Sequence, residues 1–112
     1  MKKAFEKEIY QLHAAICQAL ADPKRILILY EIVNGNKSVS ELAASLGLRQ
    51  ANISQHLMVL RERSLVVANR EGTSIYYSIA NPKIIQALDL MREVLADKLE
   101  QSRDLAATLA AF

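Results

Sequence analysis

Between Ser38 and Arg63 the chain reads SVSELAASLGLRQANISQHLMVLRER, and few structures accommodate that order. Ser38 followed three residues later by Glu41 is a capping box, in which the hydroxyl takes an orphan N–H and the carboxylate reaches back to the cap. A helix starts there. Leu42, Ala43 and Leu46 form one apolar stripe, and Gly47 directly after them can take the left-handed conformation that ends a helix. After Leu48 and Arg49 a second run begins, with Ile53, Leu57 and Leu60 at helical spacing facing inward. Gln50, Asn52, Ser54, Gln55 and His56 are left facing outward, where they can reach base edges. Two helices joined by a tight turn make a helix-turn-helix.

At 112 residues, 52% of them hydrophobic, the chain has the length and apolar content of one folded domain. No apolar run approaches the roughly 18 residues that a membrane span requires. The opening MKKAFEKEIYQ carries acids where a signal peptide needs an uninterrupted apolar core, so a soluble, cytoplasmic protein with no membrane partner is expected. A single cysteine, Cys17, excludes an intramolecular disulfide and any thiolate cluster built within one chain. The net charge of +2 is too small to indicate a nucleic-acid partner, but its distribution is uneven. Residues 47–82 hold Arg49, Arg61, Arg63 and Arg70 against Glu62 and Glu71, whereas residues 83–112 hold four bases against five acids. The basic excess lies on the second half of the helix-turn-helix and on the segment after it.

Along the chain, residues from about Ala4 to Ala21 read as a helix whose Phe5, Ile9, Leu12, Ile16 and Leu20 form a packing face. Asp22-Pro23 sets a new start, with Asp as cap and Pro at the first helical position, and Ile26, Leu27, Leu29, Ile32 and Val33 fill a second, central helix. Asn34-Gly35-Asn36 ends it. Beyond Arg63 the period changes from about 3.6 to 2: Leu65–Ala68 and Ile75–Ile79 are β-branched or aromatic runs flanking a small polar tip. They form a β-hairpin with Arg70 near its turn. Asn81-Pro82 then launches a last helix from about Lys83 to Ala110. Its Ile84, Leu88, Met91, Leu95, Leu99, Leu105 and Leu109 exceed what one small domain needs to cover. The fold class is therefore mainly α with a β-hairpin wing, a winged helix-turn-helix over residues 1–112. Apolar stripes on both end helices, 4–21 and 83–110, call for an isologous homodimer. Such a dimer would set two reading heads about 34–36 Å apart, one turn of DNA.

The phrases ALADPKRILIL (19–29), ELAASLGL (41–48), NISQHLMVLRERSLV (52–66) and REGTSIYYSI (70–79), in this order, resemble the ArsR/SmtB family of dimeric winged-helix repressors. The resemblance implies a homodimer that binds an inverted-repeat DNA operator and leaves it when a small effector binds. Many members of that family sense metals. Their thiolate site enters the first helix of the motif as Cys-x-Cys, and the matching positions here are Ser38 and Ser40, whose hydroxyls do not replace thiolate toward soft metals. Their zinc site on the last helix falls on Asp89, Met91, Ser102 and Leu105, of which only Asp89 keeps a ligand. Neither metal site can be built, and no cofactor is expected.

His13 and Cys17 remain, four residues apart on one side of the first helix. Three readings stand for them: a buried cysteine acting as a small hydrophobe, a thiol sensor, or half of a metal site completed by Glu6 or a partner chain. For DNA the residues divide by chemistry. Gln50, Asn52 and Gln55 carry amides able to pair with adenine, and Ser54 can donate or accept. His56 is expected either on DNA or hydrogen-bonded to backbone at the helix interface. Arg70 and Thr73 on the wing are expected over phosphates or in the minor groove. Arg49 stands where the family commonly has a capping serine, and its cation opposes the helix dipole there, so a phosphate contact is expected to compensate. An enzyme is not expected, because no nucleophile–base pair, carboxylate pair or phosphate loop occurs. The rival reading is a winged-helix interaction module that binds no DNA.

Overall fold

The computed structural model describes residues 2–111. Its elements are α1 (Lys2–Leu20), α2 (Pro23–Ile32), β1 (Lys37–Ser38), α3 (Val39–Leu46), α4 (Gln50–Glu62), β2 (Val66–Glu71), β3 (Ser74–Ile79) and α5 (Lys83–Ala110). They group into two compact units, one ending at Pro82 and the other beginning at Lys83.

In the first unit the local signals act as chemistry requires. The Asp22 carboxylate accepts the amides of Lys24 and Arg25, with Pro23 in the first turn of α2. Gly47 stops α3 at φ 66°, and the Leu48 amide returns to the Ala43 carbonyl. Ile28, Leu29, Ile32, Leu42, Ile53, Leu57 and Leu60 are all but excluded from solvent and form the core shared by α2, α3 and α4. The Ser45 hydroxyl donates to the Glu31 carboxylate and links α3 to α2 at the surface.

The end of α4 is a motif that the sequence does not advertise. Ser64 takes φ 59° without being glycine. Its amide donates to the Arg61 carbonyl at 3.0 Å, and the Leu65 amide donates to the Leu60 carbonyl at 2.9 Å. These are the two bonds of a Schellman ending, and Leu60 and Leu65 are both buried, as its hydrophobic closure requires.

Several expectations need correction. The sheet has three strands in the order β1-β3-β2, because Lys37 and Ser38 pair with Tyr77 and Tyr76. Leu65 is buried ahead of β2 instead of opening it, and the wing strands run to Glu71 and Ser74 around a two-residue Gly72-Thr73 turn. Gly72 at φ 64° in the first turn position suits the type II′ geometry that matches strand twist. Helix α2 is central on one side only, since Leu27 is 51% exposed. On α1 only Ala19 is buried, so Phe5, Ile9 and Leu12 lie open to solvent. Helix α5 likewise exposes Met91, Leu95, Leu99, Leu105 and Leu109, so the apolar excess expected on the two end helices is present and not a departure from the sequence reading.

Candidate nucleic-acid interface

Helix α4 buries one line of side chains, Ile53, Leu57 and Leu60. With 100° between successive residues, this line fixes where every other side chain on the helix points. Gln55 is exposed on the opposite face, and Gln50 and Ser54 are exposed on one flank of the line. Asn52 and His56, expected outward, are half-buried instead: they sit one turn apart on the other flank of the buried line. His56 has found a partner there, but it is the Arg25 side chain and not a backbone group, with Nη1 3.4 Å from Nδ1.

Arg49 occupies the cap position of α4 at φ −68°, ψ 142°, exposed and with no side-chain cap bond. Its carbonyl accepts the Ile53 amide at 3.1 Å, so the backbone starts the helix alone. The first-turn amides of α4 thus lack a side-chain acceptor, and a positive charge stands beside the positive end of the dipole. Arg70 is exposed on β2 opposite Ile75, and Thr73 is exposed in the wing turn.

Between α4 and β3 lies an open groove of about 500 Å³ lined by Ser54, Leu57, Met58, Arg61, Glu62 and Tyr77. Met58 and Tyr77 give no signal in the sequence because an apolar side chain and a strand tyrosine both read as core. Met58 is in fact 61% exposed on the same face as Ser54.

Asp22, at the start of α2, is a carboxyl with a displaced pKa. Burial pushes it up, but the amide bonds from Arg25 and Lys24 and the charges of His56 and Arg25 outweigh that and hold it below 3.8.

Ser38 and Ser40 bring their hydroxyl oxygens within 3.2 Å of each other. His13 and Cys17 are exposed on α1, so Cys17 is no core filler of this chain: α1 turns only Ala19 fully inward. Among the described residues no three His, Cys, Asp or Glu side chains gather as metal ligands, and no helix is long and apolar enough to cross a membrane.

Comparison with known proteins agrees with this geometry. Residues 22–67 match the pattern of the family described as bacterial regulatory protein, arsR family. The chain is 45% identical over 89 residues to the HTH-type transcriptional regulator Rv0081 of Mycobacterium tuberculosis, spanning 79% of this chain and 78% of that one. The crystal structure of Rv0081 superposes with a TM-score of 0.76 over 83% of this chain and 94% of the other, at 42% identity. The homodimeric winged helix-turn-helix DNA-binding domain Mb0332 from Mycobacterium bovis gives a TM-score of 0.78 at 30% identity, covering 86% and 89%. The biofilm growth-associated repressor of Agrobacterium fabrum is 35% identical over 88 residues, 79% of this chain and 74% of the relative. An exposed polar face on α4, a two-residue wing turn and these likenesses converge: the chain belongs to the ArsR family of winged helix-turn-helix transcriptional regulators, which are not enzymes.

Proposed function

We propose that this chain is a homodimeric repressor that reads an inverted-repeat operator and is released by an effector not held at the family's usual metal positions. The observation that carries the reading is the exposure of Gln50, Ser54 and Gln55 on α4, away from its buried line of Ile53, Leu57 and Leu60. Amides and a hydroxyl so placed suit base edges in the major groove. Asn52 reaches the same groove from the flank. Arg49 neutralises a phosphate at the start of α4, and Arg70 and Thr73 lie over the backbone or the minor groove beside it.

The homodimer accounts for the apolar side chains left open on α1 and on α5, which an isologous contact would cover. Mb0332 is described as homodimeric, and the Agrobacterium relative as a repressor, which favours both parts of the proposal. An interaction module without DNA would be expected to present an apolar face on α4. The large apolar side chain exposed there is Met58, and single exposed apolar residues are ordinary.

The test is fluorescence anisotropy on duplexes selected by the protein from a random pool, repeated at several salt concentrations. Binding should weaken steeply with salt, with a slope that reports the number of phosphates neutralised. Binding that is absent or indifferent to salt would instead support the interaction module.

A further inference from the structure

Arg25, in the first turn of α2, divides its guanidinium between two other helices. Nε donates to the Ala19 carbonyl at 2.6 Å and Nη2 donates to the Gln18 carbonyl at 3.2 Å. Both acceptors lie in the last turn of α1, beyond the reach of the regular i+4 helical bonds, and the Gln18 carbonyl also accepts the Ala21 amide at 3.1 Å. The remaining nitrogen, Nη1, lies 3.4 Å from Nδ1 of His56 on α4. One side chain therefore joins the end of α1 to the helix that carries Gln50, Ser54 and Gln55.

We propose that Arg25 and His56 are positioning residues for the reading helix, and that uncharged His56 is the form competent to discriminate DNA sequence. The inference rests on the DNA-binding reading above. A neutral imidazole with its proton on Nε2 offers a lone pair at Nδ1 to the guanidinium. Once protonated, it carries N–H at both nitrogens and confronts a like charge.

The surroundings set the sign of the effect. From α2 the charged neighbours of His56 are Arg25 and, at the cap, Asp22, which attracts it. Arg63, at the C-terminal cap of α4, lines the same cavity of about 120 Å³ as Arg25, together with the uncharged Ala15, Gln18 and Ala19 of α1 and Val59 of α4. A charged His56 thus stands directly against the Arg25 guanidinium, while the nearby Asp22 carboxylate is already bonded to the amides of Lys24 and Arg25. Acidification loosens α4 from α2 on its His56 flank, one residue from Gln55. By the same connection, a shift in the last turn of α1 is felt at α4.

The experiment uses the full chain, a duplex selected from random DNA by the wild type at alkaline pH, and an unrelated duplex of equal length. The quantity read is the ratio of the two affinities, at fixed salt, between about pH 5.5 and 8, the range in which histidine changes charge. A ratio removes the general attraction of a new cation to phosphate. The wild-type ratio should fall about tenfold on acidification, the effect of losing a hydrogen bond to a charged group. His56→Asn, whose amide oxygen can stand in for Nδ1, should keep the alkaline ratio and flatten the profile. Arg25→Gln should lower the ratio at every pH, with partial rescue by Arg25→Lys, while His13→Gln keeps the wild-type profile.

A wild-type ratio that does not change with pH overturns the proposal. So does a pH response that survives in His56→Asn or vanishes in His13→Gln. An Arg25→Gln protein that melts earlier yet keeps the wild-type ratio and profile would show Arg25 to be a fold-stabilising residue only, and would also overturn it. If no duplex is selected at any pH, the DNA-binding reading itself fails, which is a different result from a selected duplex bound without pH dependence.

Discussion

The Ser38 hydroxyl accepts the Glu41 amide at 3.2 Å while the Glu41 carboxylate accepts the Ser38 amide at 3.1 Å, so the first turn of α3 is closed from both directions. Ser38 also pairs with Tyr76 across β1 and β3, which ties the start of the helix to the sheet. Ser38→Ala is expected to cost about 1 kcal/mol, the usual value of a lost N-cap. Urea denaturation monitored by circular dichroism would measure it, and an unchanged midpoint would show that the box contributes nothing.

Asp22 gives the fold a sensitivity to acid. Its carboxyl titrates below 3.8 in the folded chain, because the upward push of burial is overcome by the amides of Arg25 and Lys24 and the charges of His56 and Arg25. A folded pKa below the unfolded one contributes stability that is present above the unfolded value and lost as pH falls through the folded value. Asp22→Asn keeps a good capping group but no charge. The stability gap between wild type and Asp22→Asn should therefore be widest at neutral pH and close as pH drops below 3.8. Thermal melts across an acid series would show it, and a constant gap would contradict the assignment.

Two residues with positive φ predict opposite responses to substitution. Gly47 at φ 66° has nothing within 4 Å of an added Cβ, so Gly47→Ala meets backbone strain without a clash and should destabilise by about 1 kcal/mol. Ser64 at φ 59° already bears that strain, and Ser64→Gly should stabilise by roughly 0.5 kcal/mol after the added freedom of the unfolded chain is deducted. Chemical denaturation of the pair checks both signs.

Arg49 separates DNA affinity from stability. With no side-chain cap bond and a cation at the positive end of α4, Arg49→Ala should raise stability by about 0.3 kcal/mol. If Arg49 holds a phosphate, the same change should reduce the salt slope of DNA binding by about 1. An unchanged slope and affinity would remove Arg49 from the interface.

What the sequence disclosed was whatever is encoded within a few residues. The caps at Asp22 and Ser38, the stop at Gly47 and the buried line of α4 are all local, and each stands where the spacing put it. The two-residue β1 has no pattern of its own and exists because β3 lies beside it. Ser64 gives no signal, since serine seldom adopts its conformation, and the strain is held by the Leu60 and Leu65 closure. The partner of His56 lies 31 residues away, a pairing that only the packing of α2 on α4 creates. Cys17 misleads for a related reason: a heptad-like face looks like core in a sequence, whereas α1 in a single chain has little to set against it.

Among the described residues, the strand order β1-β3-β2 leaves both borders of the small sheet without a neighbouring strand. Such borders are templates for unwanted pairing between molecules, and this one is blunted twice. One border is only the two residues Lys37 and Ser38, too short to recruit a foreign strand. The other, β2, ends in Asn69, Arg70 and Glu71, whose polar and charged side chains make stacking against an identical copy costly. The wing is thereby kept from pairing with another wing.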